Sequence, residues 1–376
     1  MRWKQRRLGV AAVALAALVP LAAIGTAGAA SDGPSHSGQH VPRLDHVFVI
    51  MLENHSRSSV IDDVNAPFIT GLAHRFGMAD QYFGVTHPSM PNYVATLAGD
   101  NFGIQDDNDQ NVVNLDRPNL VDQLETHGRS WGAYMQTLPD NKTDRFGPTL
   151  PDGTVVQLYA RKHNPFVLFD DIASNPARMS HVRDYSALAA DLDSAHAPDL
   201  VWITPNQCSD MHGGVNVAVP GHPETPCPFG STKDDPNDAA LKRKADAFVH
   251  GAVDTITGSR SWTGNSAIFI VTDDNDFTGN EQTRRLGERG RLLRLTVRLE
   301  GRCPDQRRLA WWHLRRRAHP GRGGDHARPA RVVQPHPVQP LLAAADDRGQ
   351  LAAGHLGHAG DTAGGVVPMT DLLGRH

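Results

Sequence analysis

The chain has 376 residues, with 37 lysines and arginines against 41 aspartates and glutamates, a net charge of −4 and a pI near 6.6. This length can bury a large core and accommodate roughly one to three domains. The slightly acidic charge argues against a nucleic-acid-binding protein that works by bulk electrostatic attraction.

The N-terminus has the pattern of an export signal. A basic segment over 2–7 precedes an apolar run over 9–24 and an Ala-Gly-Ala sequence at 27–29. The run is slightly too short for a comfortable membrane span, so we predict a cleaved signal peptide over 1–30. The alternative is an uncleaved anchor. Residues 31–44 are expected to be a flexible lead-in to a secreted protein that keeps no membrane span.

The first predicted strand is a continuous apolar run over 47–52 that stops on Glu53, Asn54 and His55. An unbroken run is typical of a parallel strand covered on both faces, not of an alternating edge strand. Ligands gather outside the carboxyl ends of strands in open α/β sheets, so Glu53 and Asn54 are candidate site residues. The alternative is a polar turn after a buried strand.

The rest of the chain alternates strands with helices. Strands are predicted over 130–135, 199–204 and 266–272, helices over 65–76, 120–126 and 237–256, and a turn-rich excursion over 147–153. Alternation at this spacing indicates βαβ units. We therefore expect an α/β fold with a parallel or mixed sheet over 45–280.

Polar clusters follow these buried strands as they follow the first. One strand runs into PNQCSDMHGG, and the last ends on Asp273 and Asp274. Together with Glu53 and Asn54, these acids offer hard oxygen ligands and no thiolate. Such a set suits Ca²⁺, Mg²⁺ or Mn²⁺ better than a structural Zn²⁺. The sequence thus predicts one divalent metal ion.

Ser89 precedes Met-Pro-Asn, where a helix is predicted to begin. A hydroxyl there lies at the positive end of the helix dipole, beside free N–H groups that can bind a phosphoryl oxygen. The alternative is that Ser89 only caps the helix.

Five motifs in order carry a family resemblance: LENHS, THPSMPNY, ARKHNPF, TPNQCSDMHGG and FIVTDDND. Over about 45–280 the chain resembles the bacterial phosphoesterase family, which holds secreted acid phosphatases and phospholipase C enzymes within the alkaline-phosphatase-like superfamily. The resemblance implies a mostly parallel central sheet with helices on both faces.

The resemblance also implies roles for individual residues. The metal ion would be held by Glu53, Asn54, Asp273 and Asp274. Ser89 matches the nucleophile, and Thr86 is the less favoured candidate. The phosphate or its leaving group would be faced by His87, Lys162, His163, Asp210 and His212. For Lys162 and His163 the alternative is a solvated basic pair.

These residue types fit phosphoryl transfer. A divalent ion would activate the Ser89 hydroxyl, and attack would give a phosphoserine that water hydrolyses. His212 is suited to protonate the leaving group or to bind the phosphate as an imidazolium. We expect a secreted acid phosphatase acting on small phosphate monoesters. We favour this function because the chain is short and lacks an added lipid-binding domain. One alternative is a phospholipase C acting on a phospholipid headgroup. The other alternative is a catalytically inactive remnant.

The chain has three cysteines, Cys208, Cys227 and Cys303. In an oxidising compartment, Cys208 and Cys227 would pair and close a loop of about twenty residues around Asp210 and His212. Cys303 is left over.

The chain changes character after residue 280. Residues 281–354 contain sixteen arginines, no lysine and no clear strand or helix period, whereas 355–376 resembles the family's C-terminus again. We interpret 281–354 as a translation between two compensating frameshifts, which would disrupt the C-terminal third of the fold. Codons for 342–354 can be chosen that, read one base later, give SLLRTIEDNWRL, similar to the family's usual run. The alternative is an arginine-rich insertion that binds an anion or a partner.

Resequencing the gene across 276–358 tests the frameshift interpretation. We expect two single-base errors whose correction yields a Gly-His-x-Pro motif near 311–326, supplying the histidine that the family places there. A confirmed reading frame without such errors would instead establish the arginine-rich insertion.

Overall fold

A computed structural model describes residues 44–79, 82–112, 114–230 and 235–275, and the backbone of 294–297. The predicted signal peptide, nearly all of the lead-in, almost all of the arginine-rich segment and the C-terminal segment 355–376 lie outside these residues. None of the helices within the described ranges is long and apolar enough to cross a bilayer.

The strands are β1 His46–Leu52, β2 Gly77–Met78, β3 Trp131–Met135, β4 Phe146–Thr149, β5 Val155–Ala160, β6 Val182–Asp184, β7 Leu200–Thr204, β8 Ser266–Thr272 and β9 Arg294–Val297. The helices are α1 Arg57–Val60, α2 Pro67–Arg75, α3 Ser89–Ala98, α4 Leu120–Thr126, α5 Asp170–Ala173, α6 Pro176–Met179, α7 Leu188–Leu192 and α8 Pro236–Gly258. Short 3₁₀ helices cover Arg161–His163, Pro165–Leu168 and Tyr185–Ala187.

Strand β1 lies at the centre of a mostly parallel sheet. Among the described residues the strand order is β2-β9-β8-β1-β7-β3-β6. Strand β1 pairs in parallel with both β7 and β8, so that Val49 is opposite Trp202 on one side and Phe269 on the other. Strand β9 is antiparallel to β8. The expected strand at 47–52 is therefore confirmed as an internal, parallel strand.

The continuous apolar run of β1 exists because both of its faces are buried. Val47 and Val49 pack into a core that includes residues of α3 and α4. Phe48 and Ile50 point to the opposite face and pack into a core that includes residues of α2 and α8. Helices on both faces of the sheet, as expected from the sequence, follow from this alternation.

Two segments differ from the sequence-based expectation. The excursion over 147–153 belongs to an antiparallel hairpin, in which β4 pairs with β5 and the register shifts at Gly147. Within the arginine-rich segment, the backbone of Arg294–Val297 pairs with β8. Strands β4 and β9 are short, and each is held by hydrogen bonds to another strand, β5 and β8 respectively. The local pattern of apolar residues therefore gives little signal for them.

Candidate active site

The carboxyl ends of β1 and β8 bring the predicted metal ligands together. Leu52 and Thr272 are opposite each other in the parallel register, so the residues that follow them leave the same edge of the sheet. The Asn54 backbone N–H donates to Asp273 Oδ1 at 3.1 Å. Asn54 has a φ of 53°, a left-handed conformation that asparagine tolerates better than most residues.

Each of the four predicted metal ligands keeps one buried side-chain oxygen that makes no hydrogen bond: Glu53 Oε1, Asn54 Oδ1, Asp273 Oδ2 and Asp274 Oδ1. All four side chains are almost completely buried. A buried oxygen without a partner costs about 1–3 kcal/mol, and such oxygens from two strand ends are the ligands that a hard cation requires. The residues present therefore fit a divalent metal ion.

Ser89 is the first residue of α3 and is 1% exposed. Its Oγ donates to Glu53 Oε2 at 2.9 Å. The N-cap position belongs to Pro88, and Ser89 makes no capping bond, so the interpretation of Ser89 as a simple cap is wrong. The hydroxyl instead points into the carboxylate cluster from the N-terminal turn of a helix.

The loop before Ser89 is folded back onto α3 by Asn92. The Asn92 side chain accepts from the backbone N–H groups of Val85 and Thr86 and donates to the Thr86 carbonyl. The Thr86 hydroxyl donates to the His87 carbonyl at 3.2 Å, a bond within the same loop. Of the two hydroxyls predicted as candidate nucleophiles, that of Ser89 donates to a carboxylate of the cluster and that of Thr86 donates to a loop carbonyl.

His87 is placed beside the metal ligands. Its Nδ1 lies 3.0 Å from Asp274 Oδ2 and its Nε2 lies 2.6 Å from Asn275 Oδ1. The hydrogen bond to Asp274 raises the pKa of His87, against the effect of its partial burial. These contacts direct the ring to the acids after β8, where it orients Asp274.

His163 is a buried member of the cluster, so the interpretation as a solvated basic pair is wrong for it. Its Nε2 lies 3.3 Å from Glu53 Oε1 and its Nδ1 lies 3.7 Å from Asp210 Oδ2. Its ring stacks on Tyr93 with 5.2 Å between centroids. Burial, and then the Lys162 charge, hold the pKa of His163 well below its usual range.

His212 lies beside Lys162 and His163, and its Nε2 carries no hydrogen. Its Nδ1 lies 2.9 Å from the Gly213 carbonyl and therefore carries the hydrogen, which leaves Nε2 as an acceptor 3.5 Å from Lys162 Nζ. Burial and the Lys162 charge lower the pKa of His212 to about 4. This lowered pKa favours the neutral imidazole when no phosphate is bound, with Nε2 as a hydrogen-bond acceptor.

Glu53, His163 and His212 form a second donor set that shares Glu53 with the first. One ligand atom from each of the three lies within 4.8 Å of the others. Imidazole nitrogens suit Zn²⁺ or Fe, whereas carboxylate and amide oxygens suit Mg²⁺, Ca²⁺ or Mn²⁺. The sequence assigned both histidines to the substrate, and the structure adds them to the residues that can bind a metal.

Asp210 is held by the loop that follows β7. Its Oδ1 accepts from the His212 N–H at 2.7 Å, and its carbonyl accepts from the Glu53 N–H at 2.8 Å. Cys208 and Cys227 form a disulfide with 5.4 Å between their Cα atoms. The disulfide and the backbone bond to Glu53 together fix this loop against the end of β1.

The cluster of acids raises the pKa of its members. Burial, followed by the charges of Asp273 and Asp210, raises the pKa of Glu53 well above its ordinary value. Burial and the Asp274 charge raise the pKa of Asp273 to about 8. A divalent cation would relieve this repulsion because it gives every carboxylate an opposite charge.

Asp107 is a site residue that sequence reasoning missed. Its Oδ2 accepts from Lys162 Nζ at 2.6 Å, and its Oδ1 accepts from the Met90 N–H at 2.9 Å. It lies in an acid-rich loop, QDDNDQN, without a strand or helix period. The density of acids between two motifs was the one available signal.

The fold is of the α/β class, with a mostly parallel central sheet. The lipoteichoic acid synthase LtaP of Listeria monocytogenes has a similar fold, with a TM-score of 0.50 and 10% sequence identity over 89% of this chain and 77% of that chain. The mostly parallel central sheet expected from the sequence is confirmed.

Residues 59–222 match the model of the phosphoesterase family. An acid phosphatase of Aspergillus fumigatus is 33% identical over 169 residues, which are 45% of this chain and 37% of that protein. A phosphatidylinositol-3-phosphatase of Mycobacterium tuberculosis is 29% identical over 242 residues, or 64% of this chain and 67% of that protein. The chain thus spans well under half the length of the fungal relative.

The raised pKa of Asp273 predicts how the metal-free protein responds to pH. The folded-state pKa is about 8 against an ordinary 3.8, so the folded state holds this proton more tightly than the unfolded chain does. The resulting stabilisation is complete below about pH 4 and is lost as the pH rises towards 8. With a chelator present, the unfolding temperature measured by calorimetry should fall across that window. In Asp273→Asn part of this fall should disappear.

Asp254→Asn is the matched control, because Asp254 is exposed on α8 and the substitution is the same. Its chelated form should follow the parent profile. An unfolding temperature that stayed flat or rose between pH 4 and 8 in the chelated parent would contradict the prediction. Added divalent metal should raise the unfolding temperature of the parent protein more than that of Asp273→Asn.

Proposed function

We propose that the chain is a secreted, metal-dependent acid phosphatase that hydrolyses phosphate monoesters through a phosphoserine on Ser89. The contact between Ser89 Oγ and Glu53 Oε2 at 2.9 Å is the observation that carries this proposal. It couples a hydroxyl at a helix N-terminus to a carboxylate whose other oxygen makes no hydrogen bond and lies beside His163. The phosphoesterase family match is consistent with the chemistry.

The first step forms a bond between Ser89 Oγ and phosphorus and breaks the bond between phosphorus and the alcohol oxygen. The Ser89 proton passes to Glu53 Oε2, to which it is already donated. The alcohol leaves with the bonding electrons and takes a proton from water.

The second step releases inorganic phosphate. Water attacks the phosphoserine and its oxygen forms a bond to phosphorus, while the bond between phosphorus and Ser89 Oγ breaks. Ser89 Oγ recovers the proton held by Glu53, and the proton of the attacking water is released to solvent. The nucleophile is thereby regenerated without any change in the oxidation state of a reactant.

A divalent ion would neutralise phosphoryl oxygens and favour the deprotonated serine. It would be held by Glu53, Asn54, Asp273 and Asp274, with His163 and His212 beside Glu53. Lys162 supplies a further positive charge to the phosphate. Its pKa is raised because the charges of Glu53 and Asp107 outweigh the opposing effect of burial. Lys162 therefore remains an ammonium over the working range of an acid phosphatase.

Monoesters are favoured over diesters because the matched relatives are named as phosphatases. The Mycobacterium tuberculosis relative acts, by its name, on a lipid phosphate, and this extends the proposed substrates to phosphorylated lipid headgroups. A phospholipase C-type diesterase and an inactive remnant are the competing functions. Faster hydrolysis of an aryl phosphate monoester than of the matching diester would favour the phosphatase over the diesterase and over the inactive remnant.

Export is proposed from the basic and apolar start of the chain and is consistent with the disulfide between Cys208 and Cys227. Disulfides persist in oxidising compartments. Sequencing of the secreted protein should give an N-terminus at Ala30 or Ser31. Secreted material that began at Met1 would overturn cleavage.

The nucleophile assignment predicts that Ser89→Ala loses aryl phosphatase activity by about a thousandfold or more, as when other covalent nucleophiles are removed. Thr86→Ala should lose far less, because the Thr86 hydroxyl bonds to a loop carbonyl. Both variants should be assayed with excess divalent metal, as kcat and kcat/KM.

The reverse result, with Thr86→Ala inactive and Ser89→Ala active, would transfer the nucleophile to Thr86. A burst of product followed by slow turnover, absent in Ser89→Ala, would identify the covalent step. Equal activity in both variants and the parent would overturn the phosphoserine mechanism.

A further inference from the structure

We propose that the Asp107 carboxylate is a resident anion, which occupies donors of the phosphate subsite in the substrate-free protein and weakens the binding of phosphate anions. This inference rests on the proposed function of the Ser89 site. It concerns how tightly that site holds a phosphoryl group, and it gives Asp107 a specificity role instead of a catalytic one.

Asp107 is bound by the two donors that a phosphoryl oxygen would be expected to use. The Met90 N–H, next to the nucleophile at the start of α3, donates to Oδ1 at 2.9 Å. The Lys162 ammonium donates to Oδ2 at 2.6 Å. A helix N-terminus and a lysine are a common pair of ligands for a phosphate anion, and here a side chain of the same protein binds both.

The position of Asp107 is fixed from outside the site. Two residues later, the buried Asp109 binds Arg145 Nε at 2.6 Å and Arg161 Nε at 3.0 Å. Arg161 also donates to the Asp109 carbonyl at 2.9 Å, and it directly precedes Lys162. The acidic loop and the lysine are therefore held in register, so that the Asp107 carboxylate reaches Lys162 without help from a ligand.

A phosphoryl group that binds Lys162 and Met90 must displace the Asp107 carboxylate or lie beside it. In the first case the hydrogen bonds of Asp107 are lost, and in the second two anions share one ammonium. Both outcomes weaken binding, and the second weakens a dianion more than a monoanion because repulsion scales with charge. Release of inorganic phosphate after turnover is assisted by the same repulsion.

The test is calorimetric titration of inorganic phosphate into the full-length, metal-loaded chain in a Ser89→Ala background, where no phosphoserine can form. Asp107→Asn keeps an oxygen acceptor for the Met90 N–H and removes the charge from Lys162. We expect this variant to bind phosphate about tenfold more tightly or better, as when a like charge is removed from a partly buried anion site.

Asp106→Asn is the matched control. Asp106 is the preceding residue, is exposed, and accepts from the Asn108 N–H within the loop. The change in net charge is the same, so its phosphate affinity should stay within about twofold of the parent if contact and not overall charge is responsible.

Phosphate affinity that is unchanged or weaker in Asp107→Asn overturns the inference, because it would make Asp107 a positioning residue for Lys162. Equal tightening in Asp106→Asn overturns it as well. Phosphate binding in the parent with no gain in Asp107→Asn leaves the proposed function intact, whereas no binding by any variant removes the phosphate site itself. Should Asp107→Asn fail to fold, Asp107→Ser gives the same comparison.

Discussion

The buried Glu53 carboxylate is the group on which the site depends. It is completely shielded from solvent, and each of its oxygens faces a different partner, Ser89 on one side and His163 on the other. Its backbone N–H binds the carbonyl of Asp210. An ionised carboxylate in a dry interior is unfavourable unless charge or hydrogen bonds compensate it. The residues around Glu53 supply that compensation only in part, and a divalent cation held by the neighbouring acids would complete it.

The fold was largely predictable because its central strands are buried on both faces. Continuous apolar runs marked β1, β7 and β8 to within a residue or two, and the helix over 120–126 was predicted with the observed bounds. Parallel strands end at the same edge, so predicting the three strands also brought Glu53 and Asp273 together. The Met-Pro-Asn sequence after Ser89 placed that residue at the start of α3, as observed.

Features that depend on contacts between distant segments were not predictable from local pattern. Asp107 lies in an irregular loop, and its partners are set by the ion pairs of Asp109 two residues on. The neutral state of His212 follows from burial and from Lys162, fifty residues earlier in the chain. The β4–β5 hairpin contains Gly147 and Pro148 and has no strand periodicity. In each case the contact partners come from segments far apart in the chain or from burial, neither of which the local sequence pattern shows.

The backbone bond from Asn54 to Asp273 joins residues 219 positions apart. Half of the predicted donor set is therefore synthesised early and the other half late, and no nascent chain that ends before residue 274 carries all four donors. Binding of a divalent ion by these residues would consequently be a late event in maturation. The ion would come from the metal pool that surrounds the protein when β8 joins β1, so a chain that folds only after export would bind its ion outside the cytoplasm.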